Sequence, residues 1–119
     1  PEAAEAHRAL ISLRPLDIET RVMFGMLLRE LGEDGESRHV LSESHAMANT
    51  AARERGRGDD WNVLAYALLA LQRHTEAEDA MQRAMRLNPA EPSYAGRLAS
   101  IRAAKESARR VPSKPGAPR

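Results

Sequence analysis

Cysteine is absent from this chain, which removes disulfide frameworks and thiolate metal sites from consideration. The compartment stays open, since cytoplasmic and periplasmic proteins alike do without it. Aromatic residues are nearly as scarce: Phe24, Trp61, Tyr66 and Tyr94 are the whole set. β-Branched residues are few and alanine is abundant, a balance that favours helix over sheet. No apolar run approaches the ~20 residues of a membrane span, and the residues from Pro1 onward carry no signal-peptide pattern. An excess of one charge is lacking too, the formal net charge being +1 over 119 residues. That length suits one domain or a short array. The chain begins at Pro1 rather than Met, as a fragment of a larger protein or a processed product would. Arginine greatly outnumbers lysine, which with the alanine points towards a GC-rich bacterial gene.

The signatures of chemistry are missing as well. His7, His39, His45 and His74 share no metal-ligand spacing, and no H-E-x-x-H occurs. Ser42, Ser44 and His45 come without the G-x-S-x-G elbow of a hydrolase. The glycines within 55–58 lack the Lys-Ser/Thr that completes a phosphate-cradling loop. Asp59 and Asp60 stand at a predicted helix start, where acids complement the dipole. The expectation is therefore a non-enzyme with no catalytic residues, no cofactor and no metal.

What is present is periodicity. Trp61, Leu64, Ala65 and Leu68 fall at i, i+3, i+4 and i+7, one face of a helix. After a break at Gln72-Arg73-His74, Ala77, Ala80, Met81, Ala84 and Leu87 repeat the pattern. Thr75-Glu76-Ala77-Glu78 reads as a capping box, and Asn88-Pro89 stops the second helix, because proline pushes its predecessor out of the α region. The alanines let two helices approach closely. A pair of this length cannot bury both apolar faces alone, so neighbours are required.

The series Trp61, Leu64-Ala65, Leu68, Ala77, Met81, Ala84, Pro89 resembles the tetratricopeptide repeat, a helix–turn–helix of about 34 residues with the signature W-x2-L-G-x2-Y…A-x3-F…P. Ala65 replaces the usual glycine, and Leu68 and Met81 replace aromatics. The resemblance implies an all-α fold, an α-solenoid of antiparallel helix pairs with six helices in a right-handed superhelical stack. Residues 58–91 form the standard repeat. Residues 17–57 form a longer one: shifted by 40, Phe24-Gly25 falls on Leu64-Ala65, Leu28 on Leu68, Ser37 on Ala77, Leu41 on Met81 and Ser44 on Ala84. In it Asp17 is the expected N-cap, Gly32 the helix stop and Asp34-Gly35-Glu36 a tight turn. The six extra residues lie near 51–58 and end in a flexible Arg-Gly-Arg-Gly. Residues 1–15 match the second helix of a truncated repeat, with Leu13-Arg14-Pro15 standing where Leu87-Asn88-Pro89 stands later. Its exposed apolar positions predict self-association through residues 1–13 or contact with an upstream segment. Residues 92–108 form a capping helix with Tyr94, Leu98 and Ile101 inward and Arg97, Arg102, Lys105 and Glu106 outward. Residues 109–119 read as a disordered basic tail.

Members of this family hold a peptide or helix of a partner in the concave groove lined by the first helix of each repeat. Carried over position by position, that face is Val22, Met26, Arg29, Asn62, Tyr66 and Leu69, with Gly96, Ser100 and Ala103 continuing it. Tyr66 lies off the Trp61–Leu64–Leu68 stripe and offers a rigid ring with a polar tip. The expected function is a protein–protein interaction scaffold with a protein or peptide partner and no small-molecule substrate. Two alternatives stand beside it. One is binding of nucleic acid or an anionic surface through Arg102, Lys105, Arg109, Arg110, Lys114 and Arg119, although no aromatics interleave to stack bases. The other is a regulatory segment of a larger enzyme.

Overall fold

Five helices account for nearly all of residues 15–110, the part of the chain that the computed structural model describes. They are α1 (Pro15–Glu30), α2 (Asp34–Glu54), α3 (Gly58–Ala70), α4 (His74–Leu87) and α5 (Pro92–Arg110). No strand occurs among the described residues, so the fold is all-α. Of the helix expected over 1–15, residues 1–14 lie outside them and Pro15 opens α1; of the tail expected over 109–119, Arg109 and Arg110 complete α5 and residues 111–119 lie outside. Each helix packs on its successor, and α1 also packs on α3, giving a slab of 51 × 36 × 19 Å.

α1 packs on α2 as α3 packs on α4, and the two linking turns share one hydrogen-bond pattern 40 residues apart. In the first, Gly32 N–H donates to the Arg29 carbonyl and Glu33 N–H to Leu28. In the second, Gln72 N–H donates to Leu69 and Arg73 N–H to Leu68. Both are Schellman ends, which satisfy the last helical carbonyls through one residue of left-handed backbone. Gly32 takes it at φ +83 and Gln72 at φ +63.

The helix starts differ from the sequence reading. Asp34-Gly35-Glu36 is the first turn of α2 and not a separate turn, because the reversal is already complete at Gly32. α4 begins at His74 with Arg73 at its N-cap, which places Thr75 inside the helix. The capping box is replaced by a two-pronged Arg73–Glu76 pair at 2.8 and 2.7 Å. α1 begins at Pro15, so Asp17 serves as an acid of the first turn.

Buried alanines make the close packing. Ala48, Ala51, Ala52, Ala65, Ala77, Ala80 and Ala84 join Ile18, Leu64, Leu68, Met81, Tyr94 and Ile101 in one cluster. Gly25 leaves no room for a side chain: a Cβ there would stand 2.5 Å from Leu41 Cδ2. Buried Ser37 donates from Oγ to the Gly25 carbonyl at 2.6 Å. The 55–58 loop is a clamp instead of a flexible linker. Asp60, whose side chain is 0 % exposed, accepts from Arg57 N–H at 3.2 Å. Arg55 Nη2 lies 3.1 Å from its other oxygen, an ionic contact without hydrogen-bond alignment. Gly56 supplies φ +66. Tyr94 Oη donates to Asp59, tying α5 to the start of α3.

Candidate functional site

α1, α3 and α5 present a shared surface, and one side chain ties them together. Arg97 of α5 donates from Nη1 to Asn62 Oδ1 at 3.3 Å and from Nη2 to Glu19 Oε2 at 3.4 Å. Its guanidinium lies 4.5 Å from the centroid of the Tyr66 ring. Glu19 is on α1, and Asn62 and Tyr66 are one helical turn apart on α3, so Arg97 spans three helices. All four side chains are half-buried. Burial raises the Tyr66 phenol above its ordinary value of 10.0, the Arg97 charge opposes the rise and Glu19 adds to it. The hydroxyl therefore remains a neutral donor near pH 7.

The six groove residues read from sequence divide three ways. Met26, Asn62, Tyr66 and Leu69 stay half-buried. Val22 is fully buried against Leu41, Ala67 and Ala70, so it packs between helices and offers no surface to a ligand. Arg29 donates from Nη1 to the Ala70 carbonyl at 2.7 Å, capping the C-terminal end of α3 and pinning α1 to it. Gly96, Ser100 and Ala103 are exposed, and nothing lies within 4 Å of a Cβ built on Gly96.

Sequence reasoning missed Glu19 and misassigned Arg97 to the outer face of α5. The available signal was register: Arg97 is one residue beyond Gly96, the position equivalent to Asn62, and a long side chain reaches back across that offset.

A second concavity lies between α2 and α4. Trp61 and Tyr66 are five residues apart on α3, about 140° around the helix, so their rings leave by nearly opposite sides. Trp61 floors a 400 Å³ groove walled by His45, Asn49 and Arg53 on one side and Glu76, Asp79 and Arg83 on the other. It is half-buried, and the Arg83 guanidinium 4.6 Å from its ring centroid is part of its cover. Burial, then the Arg73 charge, lower the His45 pKa below 6.5, against a raising effect of Glu76.

The basic surface of α5 is partly paired. Glu78 of α4 takes Arg102 at 2.7 Å and Lys105 at 3.1 Å, while Glu106 pairs with Arg110 at 3.4 Å and Arg109 at 4.0 Å. Lys114 and Arg119 lie outside the described residues. No cluster of three or more metal-ligating side chains occurs among the described residues, and no helix there is long and apolar enough to cross a membrane. No family model, curated protein or solved structure matches the chain.

Proposed function

We propose that the chain is a tetratricopeptide-like interaction module whose α1–α3–α5 surface takes an extended segment of a partner polypeptide. The observation that carries this reading is the Arg97–Tyr66–Asn62–Glu19 cluster, which joins three helices on one surface without burying its polar groups. Support for a repeat array comes from the two helix pairs and their matching turns 40 residues apart.

The cluster has the parts that peptide recognition needs. The Asn62 amide offers a donor and an acceptor to a partner's backbone. Tyr66 and Met26 supply an aromatic edge and an adaptable apolar contact. Arg97 is held only by partly exposed partners at 3.3 and 3.4 Å, so an incoming carboxylate or carbonyl can compete for its guanidinium. Pairing of Arg102, Lys105, Arg109 and Arg110 with Glu78 and Glu106 halves the charge of this surface, and no aromatic interleaves with it to stack bases, which weighs against the nucleic-acid alternative.

The test begins with selection from a displayed peptide library and measures each hit on three proteins: the full chain, Tyr66→Ala, and a chain ending at Arg110. Tyr66→Ala should weaken binding about thirtyfold, on the order of 2 kcal/mol, with little change in melting temperature. Removal of residues 111–119 should leave affinity unchanged. If binding is lost with the tail and kept in Tyr66→Ala, the groove reading fails.

A further inference from the structure

α2 and α4 each pack on α3, and between them runs the groove whose floor is Trp61. It does not end at the 400 Å³ concavity. A second concavity of 360 Å³ adjoins it towards the C-terminal ends of α2 and α4, bordered by Ala52, Gly56 and Leu87. Arg53, Trp61 and Arg83 line both.

Charge is unevenly spread along this groove. α4 supplies acids early, Glu76 and Asp79, and arginines late, Arg83 and Arg86, with Arg53 of α2 at the same late end. Glu76 is already engaged by Arg73. Among the described residues no carboxylate pairs with Arg53, Arg83 or Arg86. Arg53 gives its Nε to Asn49 Oδ1 at 3.2 Å. Asp79 stands one turn before Arg83, well placed for an i, i+4 pair, yet Arg83 lies over the Trp61 ring instead. The chain as a whole is nearly neutral, at +1, so arginines without acids gathered at one ring are a local excess.

A guanidinium held over an aromatic face keeps the N–H donors of its edge free for an anionic acceptor. The ring beneath it excludes water on that side, which strengthens the contact over one on an open surface. Leu87, exposed at 51 %, and the uncovered part of Trp61 set apolar surface beside the arginines. Small-molecule sites enclose most of their ligand, whereas this groove lies open along two helices. A nucleic-acid backbone carries charge at every step and would meet Glu76 and Asp79 as well as the arginines. We infer that the groove binds an acidic segment of a partner polypeptide, with carboxylates on Arg53, Arg83 and Arg86 and an apolar side chain against Trp61 and Leu87. The site lies on the other side of α3 from Tyr66, so it stands whether or not the Arg97 cluster takes a ligand.

Trp61 is the only tryptophan, so its emission reports the site directly. The full chain is titrated with synthetic peptides in which two Glu flank a central Leu at varied spacings, and with the same set carrying Gln for Glu. Calorimetry supplies a second readout. At least one Glu peptide should give a saturable change in emission, and its Gln counterpart should bind at least about tenfold more weakly. Arg53→Gln and Arg83→Gln, both at exposed positions, should each weaken the Glu peptide about tenfold while the helical circular dichroism is retained. Tyr66→Ala should leave its affinity unchanged. No saturable binding across the Glu set would overturn the inference. Equal binding of Glu and Gln peptides would do the same, as would affinity kept in full by either folded arginine variant. Loss of binding in Tyr66→Ala would move the peptide to the other face, and tighter binding of inorganic phosphate or a single-stranded oligonucleotide would make the groove a site for phosphate anions. Either result overturns it.

Discussion

Gln72 holds a backbone angle, φ +63, that costs an L-residue roughly 1–2 kcal/mol and glycine almost nothing. Its counterpart Gly32 has the same role at the same place in the preceding turn. Gln72→Gly should therefore raise stability by about 1 kcal/mol in chemical denaturation, less what glycine adds to the freedom of the unfolded chain. A lower denaturation midpoint would show that the exposed Gln72 side chain does more than complete a turn. His45 gives a pH prediction. Its folded pKa lies below 6.5 because burial and Arg73 disfavour the cation, so the unfolded chain takes up the proton first. Its effect is absent well above pH 6.5, and stability falls as pH drops through 6.5 towards the lower folded value. His45→Gln should flatten that part of the pH–stability profile, read as melting temperature between pH 7.5 and 5.5. The lowered carboxyls of Glu76, held by Arg73, and Glu78, held by Arg102 and Lys105, act in a separate window, below the ordinary 4.5 for both.

At the scale of the element, the α2–α3 connection is the decisive joint. Asp60 is fully buried in the first turn of α3, compensated by Arg57 N–H, the Arg55 charge and the helix N-terminus. Asp60→Ala would leave a largely buried guanidinium without its acid, which typically costs about 3 kcal/mol or more. Thermal unfolding should show a large loss. A variant within 0.5 °C of the parent would mean that Arg55 simply swings out to solvent. Little of this joint was readable in advance: Arg-Gly-Arg-Gly looks like a flexible linker until a buried acid two residues later organises it. The helices themselves were legible, since i, i+3, i+4, i+7 spacing reports which side faces a neighbour. Gly25 and Leu41 were placed in register by the 40-residue shift, and they meet where α1 and α2 leave no room for a Cβ. Helix starts were less legible, because side-chain signals such as Thr75 compete with where the preceding turn closes. Arg97 escaped for a related reason: spacing fixes where a Cα lies, whereas a long side chain chooses among several partners within reach.

For the molecule as a whole, α1 and α5 are the ends of the described stack, 78 residues apart at the Glu19–Arg97 contact. Both also pack on neighbours between them, α1 on α2 and α3, α5 on α4. A partly exposed pair of this kind contributes about 0–1 kcal/mol, comparable to thermal energy. Opening this pair therefore costs little, and the Arg97 guanidinium is free to change partners while the helices stay packed. Added salt should shift that balance towards the open form through screening. Arg97 is thus an adjustable fastener laid across a stack whose arrangement is set by helix packing, and whatever competes for its guanidinium releases the fastener without unpacking the helices.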